Sequence, residues 1–119
     1  MAVTAEIDGK GYFRVNDPGV RDLFIKIAAS ETAAEGGIVT VAVADSTTHT
    51  VDFGGIGTGA AWFGYVAGDE VTLKVNGQST GVLCDFALFR STDADQITSA
   101  TIANATGSAV TVHIILAGA

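Results

Sequence analysis

The chain has 119 residues, is 48% hydrophobic and only 16% charged, and carries a formal net charge of −7, against a usual charged share of about 25%. That length suits one domain with a real core, residues 1–119, and is too short for a cofactor domain plus a substrate domain. So apolar a chain is not a disordered one; six scattered Lys and Arg residues make no phosphate-binding surface, which excludes nucleic acid and an anionic membrane as partners; and a single cysteine, Cys84, excludes an intrachain disulfide.

The first segment, Met1 to Tyr12, reads as an extended N-terminal arm, with the turn composition Asp8-Gly9-Lys10-Gly11 inside it. It has no basic start followed by an apolar run, so no signal peptide is expected. No apolar run in the chain approaches the ~20 residues of a membrane span.

Between Asp17 and Gly36 two readings compete. Asp17 can cap a short helix that has Pro18 at its first position, Val20, Leu23, Phe24 and Ile27 at helical spacing, and Gly36 as its C-cap. Alternatively, Asn16-Asp17-Pro18-Gly19 is a β-turn and LFIKI alternates as a strand. The β character of the rest favours a strand over residues 23–28 and a loop after it.

Period two then dominates. GIVTVAVAD (37–45) sets Val39, Val41 and Val43 against Thr40, Ala42 and Ala44. EVTLKV (70–75) alternates Val71, Leu73 and Val75 against Thr72 and Lys74. VLCDFALFR (82–90) puts Val82, Cys84, Phe86 and Leu88 on one face and Leu83, Asp85, Ala87 and Phe89 on the other. QITSATIAN (96–104) and AVTVHIILAG (109–118) complete the set. Turn chemistry falls between the runs, at Gly68-Asp69, at Asn76-Gly77 and in NATGS (104–108). The pattern predicts an all-β fold, an antiparallel β-sandwich or jelly-roll-like barrel, with the 17–36 segment as the one place for a short helix.

Within FGGIGTGAAWFGY, Gly55-Ile56-Gly57-Thr58-Gly59-Ala60 satisfies the dinucleotide-binding fingerprint. That fingerprint works only between a strand and a helix whose N-terminus holds the pyrophosphate. Here Gly64 and Gly68-Asp69 interrupt the segment that would have to be that helix, and VNGQST offers no acidic residue for a ribose. The glycines therefore read as a tightly bent loop, and no cofactor is expected. The loop leads into Trp62, Phe63 and Tyr65. These rings suit a core or subunit anchor, or, for Trp62 and Tyr65, stacking on a sugar.

No other residue set makes a catalytic or metal site. His49 and His113 lack zinc-ligand spacing, and His113 falls on the mixed face of an apolar strand. Cys84 reads as a buried structural thiol. Asp93 and Asp95 could bind calcium but lack the rest of a known loop and read as solvated turn residues, as do Asp69 and Glu70. Asn104-Ala105-Thr106 is a formal glycosylation sequon that reads as a turn.

The short β pattern, the Gly/Ala/Thr/Ser-rich acidic composition and the closing strand–turn–strand DQITSATIANATGSAVTVHIILAGA together resemble the small capsid cement or decoration proteins of tailed bacteriophages. That resemblance implies a jelly-roll-like β fold and a mechanical, non-enzymatic role. The chain would bind the outer capsid surface as a homo-oligomer, dimer or trimer. It would bridge neighbouring major capsid (coat) proteins and localise to the virion surface after synthesis in the host cytoplasm. The interface residues expected are Tyr12, Phe13, Trp62, Phe63, Tyr65 and His113, on the N-terminal arm, the Gly-rich loop and the last strand. The alternatives are a carbohydrate-binding β-sandwich using Trp62 and Tyr65, and a small hydrolase with a histidine beside Cys84, a serine or a carboxylate.

Overall fold

A computed structural model describes residues 3–13, 23–33, 35–54, 60–91 and 97–118, with side chains described at 36–54, 60, 62–91 and 97–118. The fold is all-β and antiparallel. Its strands are β1 (Val3–Phe13), β2 (Leu23–Ala33), β3 (Glu35–Val43), β4 (Thr47–Thr50), β5 (Ala60–Val75), β6 (Val82–Arg90), β7 (Ala100–Asn104) and β8 (Val110–Gly118). Strands β1 and β2 form a two-stranded sheet, and the other six form a second, curled sheet. Among the described residues no helix is long and apolar enough to cross a membrane.

The 23–33 segment is strand, not helix. The loop expected after residue 28 is strand too, because β2 pairs with β1 along its whole length, from Phe13↔Leu23 to Val3↔Ala33. Cross-strand pairing overrides the weak strand propensity of Ser30 and Glu31. The same ladder takes in Asp8 to Gly11, so that stretch is no turn. Residues 14–22, with the proposed N-cap and turn, lie outside the described residues.

The second sheet is curled by one long strand with two partners on the same edge. The first half of β5 pairs with β8, from Ala60↔Gly118 to Ala67↔Val112. Its second half pairs with β7, from Thr72↔Ala103 to Val75↔Ala100. Between the halves β5 is bulged: it advances from Val66 to Val71 while β6, on the opposite edge, advances only from Phe86 to Cys84. Gly68-Asp69, read as a turn, is this bulge inside a strand. A bulge bends a strand and sharpens its twist, the usual way to turn a sheet corner. The flanking strands turn at the same level. Strand β3 pairs with β8 and β4 pairs with β7, so the chain rounds a corner both between β3 and β4 and between β7 and β8. The result is a half-barrel.

The concave side holds the core. Odd positions of β5 (Phe63, Tyr65, Val71, Leu73) and even positions of β8 (Val110, Val112, Ile114, Leu116) meet Val43, Val51, Ile97, Ala100 and Ile102 there. Each of the Val, Leu, Ile and Phe side chains contributes about 1.5–3 kcal/mol on leaving water. Phe63 is fully buried between Phe53 and Phe89, with ring centroids 6.3 and 6.2 Å away.

Strand β6 departs from its expected alternation. Residues paired in register share a face. Phe89 and Ala87 pair with inward Phe63 and Tyr65, while Cys84 pairs with inward Val71. Cys84 therefore sits on the core side with Ala87, not with Phe86 and Leu88. The bulge opposite Asp85 shifts the pleat, which periodicity alone does not reveal.

Candidate functional site

The half-barrel is locked at its corner by one polar side chain. Asn104, at the end of β7, is 2% exposed. Its Nδ2 donates to Val43 O at 2.8 Å and Ser108 O at 2.7 Å. Its Oδ1 accepts from Thr106 N at 2.9 Å and Thr106 Oγ1 at 2.8 Å. An amide has two donor hydrogens and two acceptor lone pairs, and all four are used. The two corners are further joined by Ser46 N to Asn104 O at 2.8 Å and Gly107 N to Asp45 Oδ1 at 2.9 Å. Ser46 and Gly107 take the positive φ that such tight corners need. The sequon is thus a structural clasp, and its asparagine is closed to modification in the folded chain.

A second lock ties β5 to β6. The Tyr65 hydroxyl donates to Cys84 O at 3.0 Å and lies 2.9 Å from Cys84 Sγ. Burial, with the Cys84 hydrogen bond and the nearby Cys84 and Asp85 charges, raises the phenol above its ordinary value. The group holds its proton and serves as a donor. Asn76 and Gly77 make the expected turn, both at positive φ, closed by Gln78 N to Val75 O at 3.1 Å. Asn76 Oδ1 also accepts from Thr98 N at 2.7 Å, fixing the entry to β7.

The aromatic residues singled out in the sequence are buried, Phe63 and Tyr65 in the core. Trp62, Phe63 and Tyr65 are 2%, 0% and 1% exposed. Arg90 lies over the Trp62 ring, 5.2 Å from its centroid, an arrangement that favours a cation on the ring face. None of the three leaves a ring exposed for a sugar or a partner. The side chains of Tyr12 and Phe13 lie outside the described residues. His113 is exposed on β8, with its Nδ1 2.8 Å from Thr40 Oγ1 across the β3–β8 pair.

The glycine fingerprint loses its required context. Residues 55–59 lie outside the described residues, but Ala60 opens strand β5 where a pyrophosphate site needs a helix. Asp93 and Asp95 also lie outside the described residues. An open cleft of about 360 Å³ runs between β3, the end of β4 and β8. Val41, Val51, Ile114 and Leu116 contribute apolar walls, and His49 and Asp52 are its titratable residues.

What the structure assembles, and no sequence motif reveals, is an apolar convex face. Register places Ile38, Ile115, Gly64 and Leu88 in one row across β3, β8, β5 and β6. The next row is Thr40, His113, Val66 and Phe86. Ile38 is 72% exposed and Phe86 61%, and Ile115, Val66 and Leu88 are exposed as well. Gly64 makes the first row flat. A Cβ there would stand 2.8 Å from Ala87 O and 3.0 Å from Leu88 Cδ1, so only glycine lets Leu88 lie down across β5. The signal was present in VLCDFALFR, where apolar residues fall on both faces of a strand with no polar side to give to water.

Comparison of the chain with protein-family models, curated proteins and solved structures finds no match.

Proposed function

We propose that this chain is a structural protein of a virion, which binds the outer surface of the capsid and stabilises the coat-protein lattice as a homo-oligomer. The observation that carries the reading is the convex face of the curled sheet, where Ile38, Ile115, Leu88, Val66 and Phe86 stand exposed in two adjacent rows. Contiguous exposed apolar surface marks an interaction site more often than ordinary surface does.

The scaffold behind that face suits a mechanical role. Its corner is clamped by a fully hydrogen-bonded asparagine and its central strand is held on both edges. A rigid sheet presents a preformed surface, so little ordering cost falls on binding. A capsid offers many copies of the same docking site, so modest affinity per copy becomes strong avidity for an oligomer.

The test is reconstitution. Particles stripped of this chain should lose heat resistance and regain it when the purified protein is added back. Protein carrying Ile38→Lys together with Val66→Lys should fail to restore it. Restoration by that variant, or stripped particles that remain heat-resistant, would refute the reading.

A further inference from the structure

Strand β6 is built like a central strand, yet among the described residues it pairs with β5 and with no other strand. Edge strands are ordinarily guarded by lysine, proline, short length or a covering element. An edge strand with large apolar side chains on both faces and no lysine or proline lacks those guards. On β6, Val82, Leu83 and Phe86 are each 61% exposed, and Leu88 and Phe89 are 37% and 38% exposed. Side chains of this size and exposure leave on the order of 500 Å² of apolar surface on a single strand, enough to mark an interaction site.

We propose that β6 pairs antiparallel with β6 of a second copy of this chain, about a two-fold axis, joining two curled sheets into one continuous sheet. The proposal rests on the self-association contained in the virion reading and names its surface. Three features select a second copy and this direction. First, an unpaired strand edge carries a row of backbone donors and acceptors that another strand satisfies best. Second, a chain of net charge −7 repels its own copies, and β6 adds nothing to that repulsion, since its two charges, Asp85 and Arg90, cancel. Third, antiparallel pairing brings the Arg90 end of each strand to the half of its partner that carries Asp85, whereas parallel pairing sets like charges side by side. A two-fold interface uses the β6 edge of both copies and leaves none for a third, so it closes as a dimer rather than growing into a fibre.

The test is sedimentation equilibrium of the purified full chain over a concentration series, with hydrogen exchange followed in parallel. The wild type should be a dimer in which β6 amides gain protection as concentration rises. Leu83→Lys with Phe86→Lys should weaken the dimer by roughly 30-fold or more, as loss of an interface hot spot does. Ile38→Lys, on β3, should leave it intact. Both altered β6 positions are exposed, and circular dichroism shows whether the variant keeps its sheet. The exchange readout needs no variant at all. A wild type that stays monomeric throughout overturns the proposal. So does an oligomer whose β6 amides exchange as they do in dilute protein, or one that Ile38→Lys dissolves. A monomer that still binds particles would refute the strand pairing and spare the capsid-binding part of the virion reading. A β6 dimer that ignores particles would do the reverse.

Discussion

The side-chain amide of Asn104 donates to the backbone carbonyl of Val43 at 2.8 Å, across 61 residues of sequence. Through that bond the end of β7 holds the end of β3, and the same nitrogen reaches Ser108 at the approach to β8. One asparagine therefore sets the angle at which three strands leave the corner of the half-barrel.

Asn104→Ala should destabilise the fold by about 1–3 kcal/mol, because it leaves the buried Val43 carbonyl without its donor. Asn104→Asp should cost at least as much, since it removes the two N–H donors and sets a carboxylate against carbonyl oxygens. Denaturant unfolding of the two variants measures both. A loss below about 0.5 kcal/mol, the range of an ordinary surface change, would contradict the clasp.

Tyr65 makes stability pH-dependent in the alkaline range. Burial, the Cys84 hydrogen bond and the Cys84 and Asp85 charges raise its pKa in the folded chain; unfolded, it ionises near the ordinary value of about 10. The folded state thus binds this proton more tightly. The contribution is full below about pH 10 and is lost as pH climbs from there through the folded value. Melting temperature should fall over that window, and Tyr65→Phe should flatten the fall at a cost of about 1 kcal/mol near neutrality. A Tyr65→Phe profile that declines as steeply as the wild type would contradict the assignment.

Gly64 is required by contact rather than by backbone angle. Gly64→Ala places a Cβ 2.8 Å from the Ala87 carbonyl, and backbone cannot move aside as a side chain can. The expected loss is about 1–3 kcal/mol, the usual cost of overpacking. Gly68→Ala meets nothing closer than 3.9 Å from Thr111 O and should be close to neutral by the same thermal melt.

Trp62 should emit as a buried indole and resist quenching by iodide, since it is 2% exposed beneath Arg90. Its emission should not respond to added glycans. A red-shifted, readily quenched spectrum would contradict its placement, and a glycan-dependent change would revive a sugar-binding role.

Much of the fold was legible in the sequence because period two is a local signal. GIVTVAVAD, VLCDFALFR and AVTVHIILAG all lie on observed strands. Asn76-Gly77 turned as its composition predicts. What local pattern could not supply was pairing. Asp8 to Gly11 and Gly68-Asp69 have turn composition but are held in strands by their neighbours, and Gly68-Asp69 becomes a corner only because β8 and β7 share one edge of β5. The candidate surface was harder still. Ile38, Ile115, Gly64 and Leu88 are scattered through the chain and become one row only in register. The aromatic cluster drew notice by composition, yet the half-barrel needed Phe63 and Tyr65 for its core.

The most direct measurement is sedimentation of lysate from the native source, with mass spectrometry of the fractions. The account predicts that this chain travels with particles carrying nuclease-protected DNA, in copies comparable to the coat protein. Recovery of the chain only in the light soluble fraction, away from any particle, would contradict it.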